Sequence, residues 1–249
     1  MSALALRRVM IRLVHDPCLV EAVYRDPDTA LRGVDLSETE RGWLLCTPRA
    51  AWSTDPGRPQ RVLEGLQEEF AVSVQMLPRS PLEFFSTAAF HDAVQGRGSL
   101  AAGFGAWLAS AAPPASVAIV QIETAIAQTR RAPRVAPPSA TGCRRLSPAA
   151  SLLLTPAGTL ARYERARRGD LPTAAPPPGV APEHLLVVRP PGSADVTIEE
   201  LPTALGELLL VARTSRPRAA LVTAARALGA DAGDDEAIVA GLEADRLLV

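Results

Sequence analysis

Apolar residues recur at intervals of three and four along most of the first half of the chain, the spacing that gives a helix one buried face. Leu6, Met10, Leu13 and Val14 open the pattern. Asp16-Pro17 and Asp26-Pro27 then mark helix starts. The carboxylate can accept an orphan backbone N–H, and Pro fits the first helical position without losing a bond. Asp55-Pro56 fits a start or a turn equally well. Gly33 predicts the stop of the helix begun at Asp26, and Ser37 with Glu40 forms a capping-box pattern ahead of Trp43 and Leu44. Val62, Leu66, Phe70, Val74 and Leu77 predict one long amphipathic helix. After Pro78 and Pro81, a helix carrying Phe84, Phe85, Ala88 and Ala89 is expected to end at Gly96 and Gly98. A further stripe, Leu100, Phe104, Trp107, Leu108 and Ala111, closes at Pro113-Pro114, and a last helix over 115–131 carries Val117, Val120, Ile122 and Ile126. Residues 1–131 therefore read as an all-helical domain.

The texture then changes. Residues 132–145, with Pro133, Pro137, Pro138 and Gly142, read as a linker. Leu152-Leu153-Leu154 predicts a short strand, 160–168 a short helix, and the Pro-rich stretch 171–182 an irregular loop. Leu185 to Val188 and Val196 to Ile198 are β-rich runs around a Pro190-Pro191-Gly192-Ser193 turn signal. Three helices follow: one lined by Leu201, Leu205, Leu208, Leu209 and Ala212, one capped by Ser215 with Pro217 in its first turn and Gly229 as its stop, and one opened by Asp234 and Asp235 with Ile238, Val239 and Leu242 facing inward. The expected fold is α+β, mostly α: the helical domain, then a small winged-helix-like domain over 146–249 with a three-stranded sheet and three helices.

Composition narrows the chemistry. All 26 basic side chains of the 249-residue chain are Arg, and Lys and Asn are absent. Without Lys there is no Walker A loop and no Schiff-base anchor. Cys18, Cys46 and Cys143 have no C-x-x-C spacing, which predicts buried thiols in a reducing cytoplasm. His15, His91 and His184 show no metal-ligand spacing, and no apolar run approaches the ~18 residues of a membrane span. The N-terminal apolar residues are broken by Arg7, Arg8 and Arg12, unlike a signal peptide. With a net charge of −1, nothing favours nucleic acid globally. The charge is nevertheless uneven. Nine Arg face one acid over 130–168, and six Arg face eleven acids over 183–249. The basic stretch fits a solvated linker, an acidic protein partner or nucleic acid. A groove-reading role for the third C-terminal helix meets Asp234, Asp235, Glu236, Glu243 and Asp245, all repelled by phosphate.

Single residues add little. His15-Asp16 sits at a helix start, where Asp16 has a capping role. His91 follows an apolar run and reads as an interior or edge histidine, while His184 precedes a strand and could touch a partner. Trp43, Trp52 and Trp107 read as core, with one of the first two expected to be exposed.

Several segments, in order, resemble one proteobacterial family. Val120-Gln121-Ile122-Glu123 with Thr124 and Ala125 is similar to its central helix, Arg145-Leu146-Ser147-Pro148 with Leu152 to Leu154 to its first strand, and Glu183 to Arg189 to its next strand. Leu205 to Ala212 and Gly241 to Leu248 resemble its closing helices. The family comprises partner proteins of multinuclear non-heme iron-dependent oxidative enzymes that modify ribosomally made peptides, among them methanobactin C-type subunits and so-called putative DNA-binding proteins. The resemblance covers roughly residues 60–249. The first ~60 residues depart from it and look more like the small helical domain of an extradiol dioxygenase α-subunit, itself an accessory piece.

The resemblance implies a non-catalytic subunit without a cofactor of its own, the iron sitting in an enzyme partner with which it forms a heterodimer. It also implies that the C-terminal domain resembles the coenzyme-PQQ D-type peptide-recognition fold, which takes a precursor's leader peptide as an added strand. By matching position, Val196, Thr197 and Ile198 would form that edge, with Ile238 and Leu242 on the flanking helix; the plain alternative is that all five are core. No nucleic-acid or membrane partner is expected, and the place of action is the cytoplasm. The rival readings are a winged-helix transcriptional regulator and an autonomous enzyme, the latter opposed by the sparse His, Cys and Lys inventory.

Overall fold

The computed structural model describes residues 3–53, 55–95, 99–133, 141–171 and 180–249. Two compact units divide the chain between Ala112 and Pro113. The first is all-helical: α1 (Ala3–Leu13), α2 (Pro17–Arg25), α3 (Pro27–Ala30), α4 (Glu38–Cys46), α5 (Arg58–Glu69), α6 (Ala71–Gln75), α7 (Ala88–Gln95) and α8 (Leu100–Ala111), with 3₁₀ turns at Arg49–Ser53 and Pro81–Ser86. The caps read from the sequence for this unit are in place, whereas the later helix expected to be capped by Ser215 starts at Arg218 behind Pro217 with no side-chain cap. Asp16 Oδ1 accepts the Leu19 N–H at 3.1 Å, Asp26 Oδ1 accepts that of Thr29 at 3.1 Å, and Ser37 and Glu40 satisfy each other's backbone N–H. Asp55-Pro56 forms a turn instead: Asp55 pairs with Arg58 and Arg61, and α5 begins after Gly57.

The single helix expected over 62–77 breaks at Phe70, which leaves helical dihedrals (φ −116°, ψ 41°). Its ring is fully buried and meets Phe104 edge-on at 5.4 Å, so aromatic packing overrides the continuous 3.6-residue period. Phe84, 5.0 Å from Phe104 and 5.5 Å from Phe90, sits at the centre of this core. Phe84 and Phe85 lie in the 3₁₀ turn rather than in α7, and the stop expected at Gly96 and Gly98 lies outside the described residues. Trp43 is the exposed tryptophan, while Trp52 and Trp107 are buried. Cys18 and Cys46 are exposed, against the expectation of buried thiols; each falls on the solvent side of its short helix.

The second unit holds α9 (Val117–Arg131), β1 (Cys143–Arg144), β2 (Ala150–Thr155), α10 (Thr159–Arg167), β3 (Glu183–Val188), β4 (Thr197–Leu201), α11 (Thr203–Val211), β5 (Arg216–Pro217), α12 (Arg218–Ala227) and α13 (Asp234–Ala244). β2, β3 and β4 form an antiparallel sheet with β3 in the middle, and β1 pairs with β5. The α+β, mostly α class and the three-strand, three-helix order agree with the sequence. The boundary does not. α9 packs on β2 and β3, so the division precedes this helix instead of falling in 132–145.

Leu185 and Val187, both fully buried, mark the sheet face opposite Leu152 and Leu186; the latter pack with Leu208, Leu209, Leu221, Val239 and Leu242 of α11–α13. The expected linker is also partly structure. Residues 134–140 lie outside the described residues, but Arg145 exchanges backbone hydrogen bonds with Val249 at 3.0 and 2.9 Å, and Ser147 N–H reaches Leu247 O at 2.8 Å. The Pro-rich loop expected over 171–182 is likewise undescribed at 172–179.

Candidate functional site

The two outer edges of the three-stranded sheet differ among the described residues. The Arg189 N–H donates to Ala149 O at 2.9 Å, which fixes the parity of the ladder: β3 residues of odd number bond toward β2, and those of even number toward β4. On β2 the outward groups are therefore those of Ala150, Leu152 and Leu154. Two of these six groups are taken, because the Ala150 N–H donates to Ser147 O at 2.9 Å and the Arg213 guanidinium donates to Leu152 O, so the edge of β2 is partly occupied at its Ala150–Leu152 end and open at Leu154.

On β4, Thr197, Glu199 and Leu201 stand opposite Val188, Leu186 and His184 and bond inward. Ile198 and Glu200 hold their N–H and C=O groups outward, and no group among the described residues meets them. β4 thus presents a short row of unpaired donors and acceptors, the arrangement that accepts an added strand.

Side chains on the two faces of this edge differ. Thr197, Glu199 and Leu201 share the face of Leu186, toward α11–α13, whereas Ile198 and Glu200 share the opposite face with Val187 and Leu185. The sequence-predicted set is therefore not one surface. Ile198 belongs to β4 but to the face away from α13, and Val196 lies just before the strand. Leu242 is buried in the core at 6% exposure, and Ile238 is 37% exposed, so it does not face inward beside Val239 as its spacing suggested. Glu199, Glu200 and Arg213, which define the edge chemically, were not singled out by sequence reasoning. The Glu-Glu pair inside a β-rich run is visible there, but which edge is open depends on register.

His184 is on the central strand β3, opposite Leu201 of β4. His184 is buried, not presented to a partner: its ring packs on Gly206 of α11, with Nε2 3.2 Å from Glu207 Oε1. In the first unit, Arg12 Nη2 lies 3.1 Å from His91 Nδ1, and His91 Nε2 lies 3.3 Å from the buried Asp16 carboxylate, which Ser86 Oγ also approaches at 3.4 Å. Burial and the Arg12 charge hold the His91 pKa below its usual value, against the pull of Asp16. His15 stacks on Phe85 at 5.5 Å. A groove of about 590 Å³ between α1–α2 and segment 49–59 is lined by Leu13, Val20 and Trp52.

Among the described residues no three His, Cys, Asp or Glu side chains are grouped to hold a metal ion, and no helix is long and apolar enough to cross a membrane. The chain matches no protein-family model and no curated protein.

Proposed function

We propose that this chain is a non-catalytic partner subunit that presents a ribosomally made precursor peptide to a multinuclear non-heme iron oxygenase in the cytoplasm, with the peptide joining the sheet beside β4. The observation that carries the reading is the difference between the two sheet edges: Ser147 and Arg213 occupy outward groups at the Ala150–Leu152 end of β2, while among the described residues nothing meets those of Ile198 and Glu200. Main-chain pairing there supplies affinity, and alternate side chains read sequence. The three-stranded sheet β2–β4, with α10 inserted between β2 and β3, followed by α11–α13, supports the peptide-recognition reading together with the motif resemblance. The DNA-binding alternative is opposed by α13, whose solvent side carries Asp234 and Glu236.

The parity of β4 selects the test. Pro at Thr197 would remove an inward N–H and break the sheet, whereas Ile198→Pro removes an outward one that the fold does not use. Co-expressed with a multinuclear non-heme iron oxygenase and its precursor peptide, Ile198→Pro is expected to keep co-elution with the enzyme and to weaken precursor binding, read by fluorescence anisotropy, by tenfold or more, on the order of 1.4 kcal/mol. Unchanged peptide affinity in a folded Ile198→Pro chain would place the peptide elsewhere. Failure to co-elute with any such oxygenase would overturn the partner assignment.

A further inference from the structure

β4 carries two adjacent carboxylates, Glu199 and Glu200, both exposed and, among the described residues, neither in an ion pair or side-chain hydrogen bond. Their cross-strand neighbours on β3 are Leu186 and Leu185, so the sheet itself offers them no cation. This contrasts with the acids of the α12–α13 corner, where Asp235 meets Arg226 at 2.6 Å, Glu236 meets Arg218 at 2.5 Å and Glu243 meets both Arg144 and Arg218. Ile198 and Leu201, on either side of the Glu pair, are apolar and half-exposed on this outer strand.

Resting on the edge-recognition reading above, we propose that β4 selects a precursor segment with two adjacent basic residues between two apolar ones. A strand paired to the outward groups of Ile198 and Glu200 sets four consecutive side chains opposite Ile198, Glu199, Glu200 and Leu201. The residues opposite the two Glu side chains fall on opposite faces of the sheet, so each carboxylate meets one cation. The residues opposite Ile198 and Leu201 extend the apolar surface begun on those faces. The order apolar, basic, basic, apolar reads the same from either end, so it holds for both strand directions. The carboxylates also have a second effect: two copies of this chain brought edge to edge at β4 would set acid against acid, which keeps the edge open for a cationic peptide.

The test uses the full chain and three labelled eight-residue strand peptides with Val-Arg-Arg-Val, Val-Gln-Gln-Val or Val-Glu-Glu-Val at their centre. Anisotropy at about 50 mM salt is expected to rank the Arg peptide roughly tenfold tighter than the Gln peptide, with the Glu peptide weakest, and the gap should shrink as salt rises. The double variant Glu199→Gln with Glu200→Gln should level the three affinities, and Ile198→Pro should abolish all binding. Equal affinities for the three peptides, still lost in Ile198→Pro, would overturn the charge selection and leave the edge reading standing. Binding that survives Ile198→Pro, or no binding of any peptide to a chain shown folded by circular dichroism, would overturn the edge reading and the selection with it. If the double Gln variant dimerises by sedimentation while the peptide ranking is unchanged, the carboxylates only repel a second copy, and the selection is likewise overturned.

Discussion

His91 ties α7 to α1 through Arg12 on one ring nitrogen and to the start of α2 through Asp16 on the other. Since Arg12 can only donate, Nδ1 accepts, and the ring proton sits on Nε2 toward Asp16. Burial and Arg12 lower the His91 pKa, and Asp16 and Asp92 oppose them. The folded state therefore binds fewer protons than the unfolded state, whose histidine titrates near the usual ~6.5. Stability from this site is present above that value and is lost as pH falls below it, down to the folded pKa. Urea unfolding at neutral pH and near pH 5 should show a larger acid loss for the native chain than for His91→Gln. Elsewhere, the buried Glu183 carboxylate accepts the Gly158 N–H at 2.8 Å and the Leu160 N–H at 2.9 Å, closing the start of α10. Glu183→Ala strands both donors and should cost about 2–3 kcal/mol in chemical denaturation. Arg246 ends α13 in the left-handed region (φ 58°), where Gly is the usual occupant. Arg246→Gly should raise stability by about 0.5 kcal/mol, the relief of backbone strain being partly offset by the freer unfolded chain.

At the scale of elements, α11 lies close against β3. A Cβ added at Gly206 would fall 2.3 Å from His184 Cγ, and that ring is held in the core. Gly206→Ala should therefore destabilise the second unit by about 1–3 kcal/mol and shift the melting of its sheet, measured by circular dichroism. Helix positions in this chain were legible because their signals are local: an Asp-Pro start, a Ser37–Glu40 box or an apolar stripe lies within a few residues. The break at Phe70 was not, because it depends on Phe104, thirty-four residues away. β1 escaped for the same reason. Two residues have no period, and their partner Arg216–Pro217 is distant in sequence.

The whole chain divides before α9. A fragment over 113–249 keeps the helix that covers Leu185 and Val187 and should fold on its own with a cooperative transition. A fragment over 132–249 uncovers both, at about 1.5–3 kcal/mol each, and should unfold broadly or aggregate. Equal cooperativity of the two fragments would show that α9 is dispensable to the sheet.

Most helices, the β-rich runs and the α+β class were written in the chain, because hydrophobic period and capping chemistry act over one or two turns. The candidate site was legible only in part. Val196 to Ile198 were recognisable as a β-rich run, but side-chain parity, the burial of Leu242 and the exposure of Ile238 follow from register and helix docking. Whether an N–H of β4 points into the sheet or into solvent is set by which residue of β3 it meets, and a shift of one position inverts every assignment. That pairing, and the long-range Arg213 contact on the other edge, join residues far apart in sequence, so they exist only once the chain has folded.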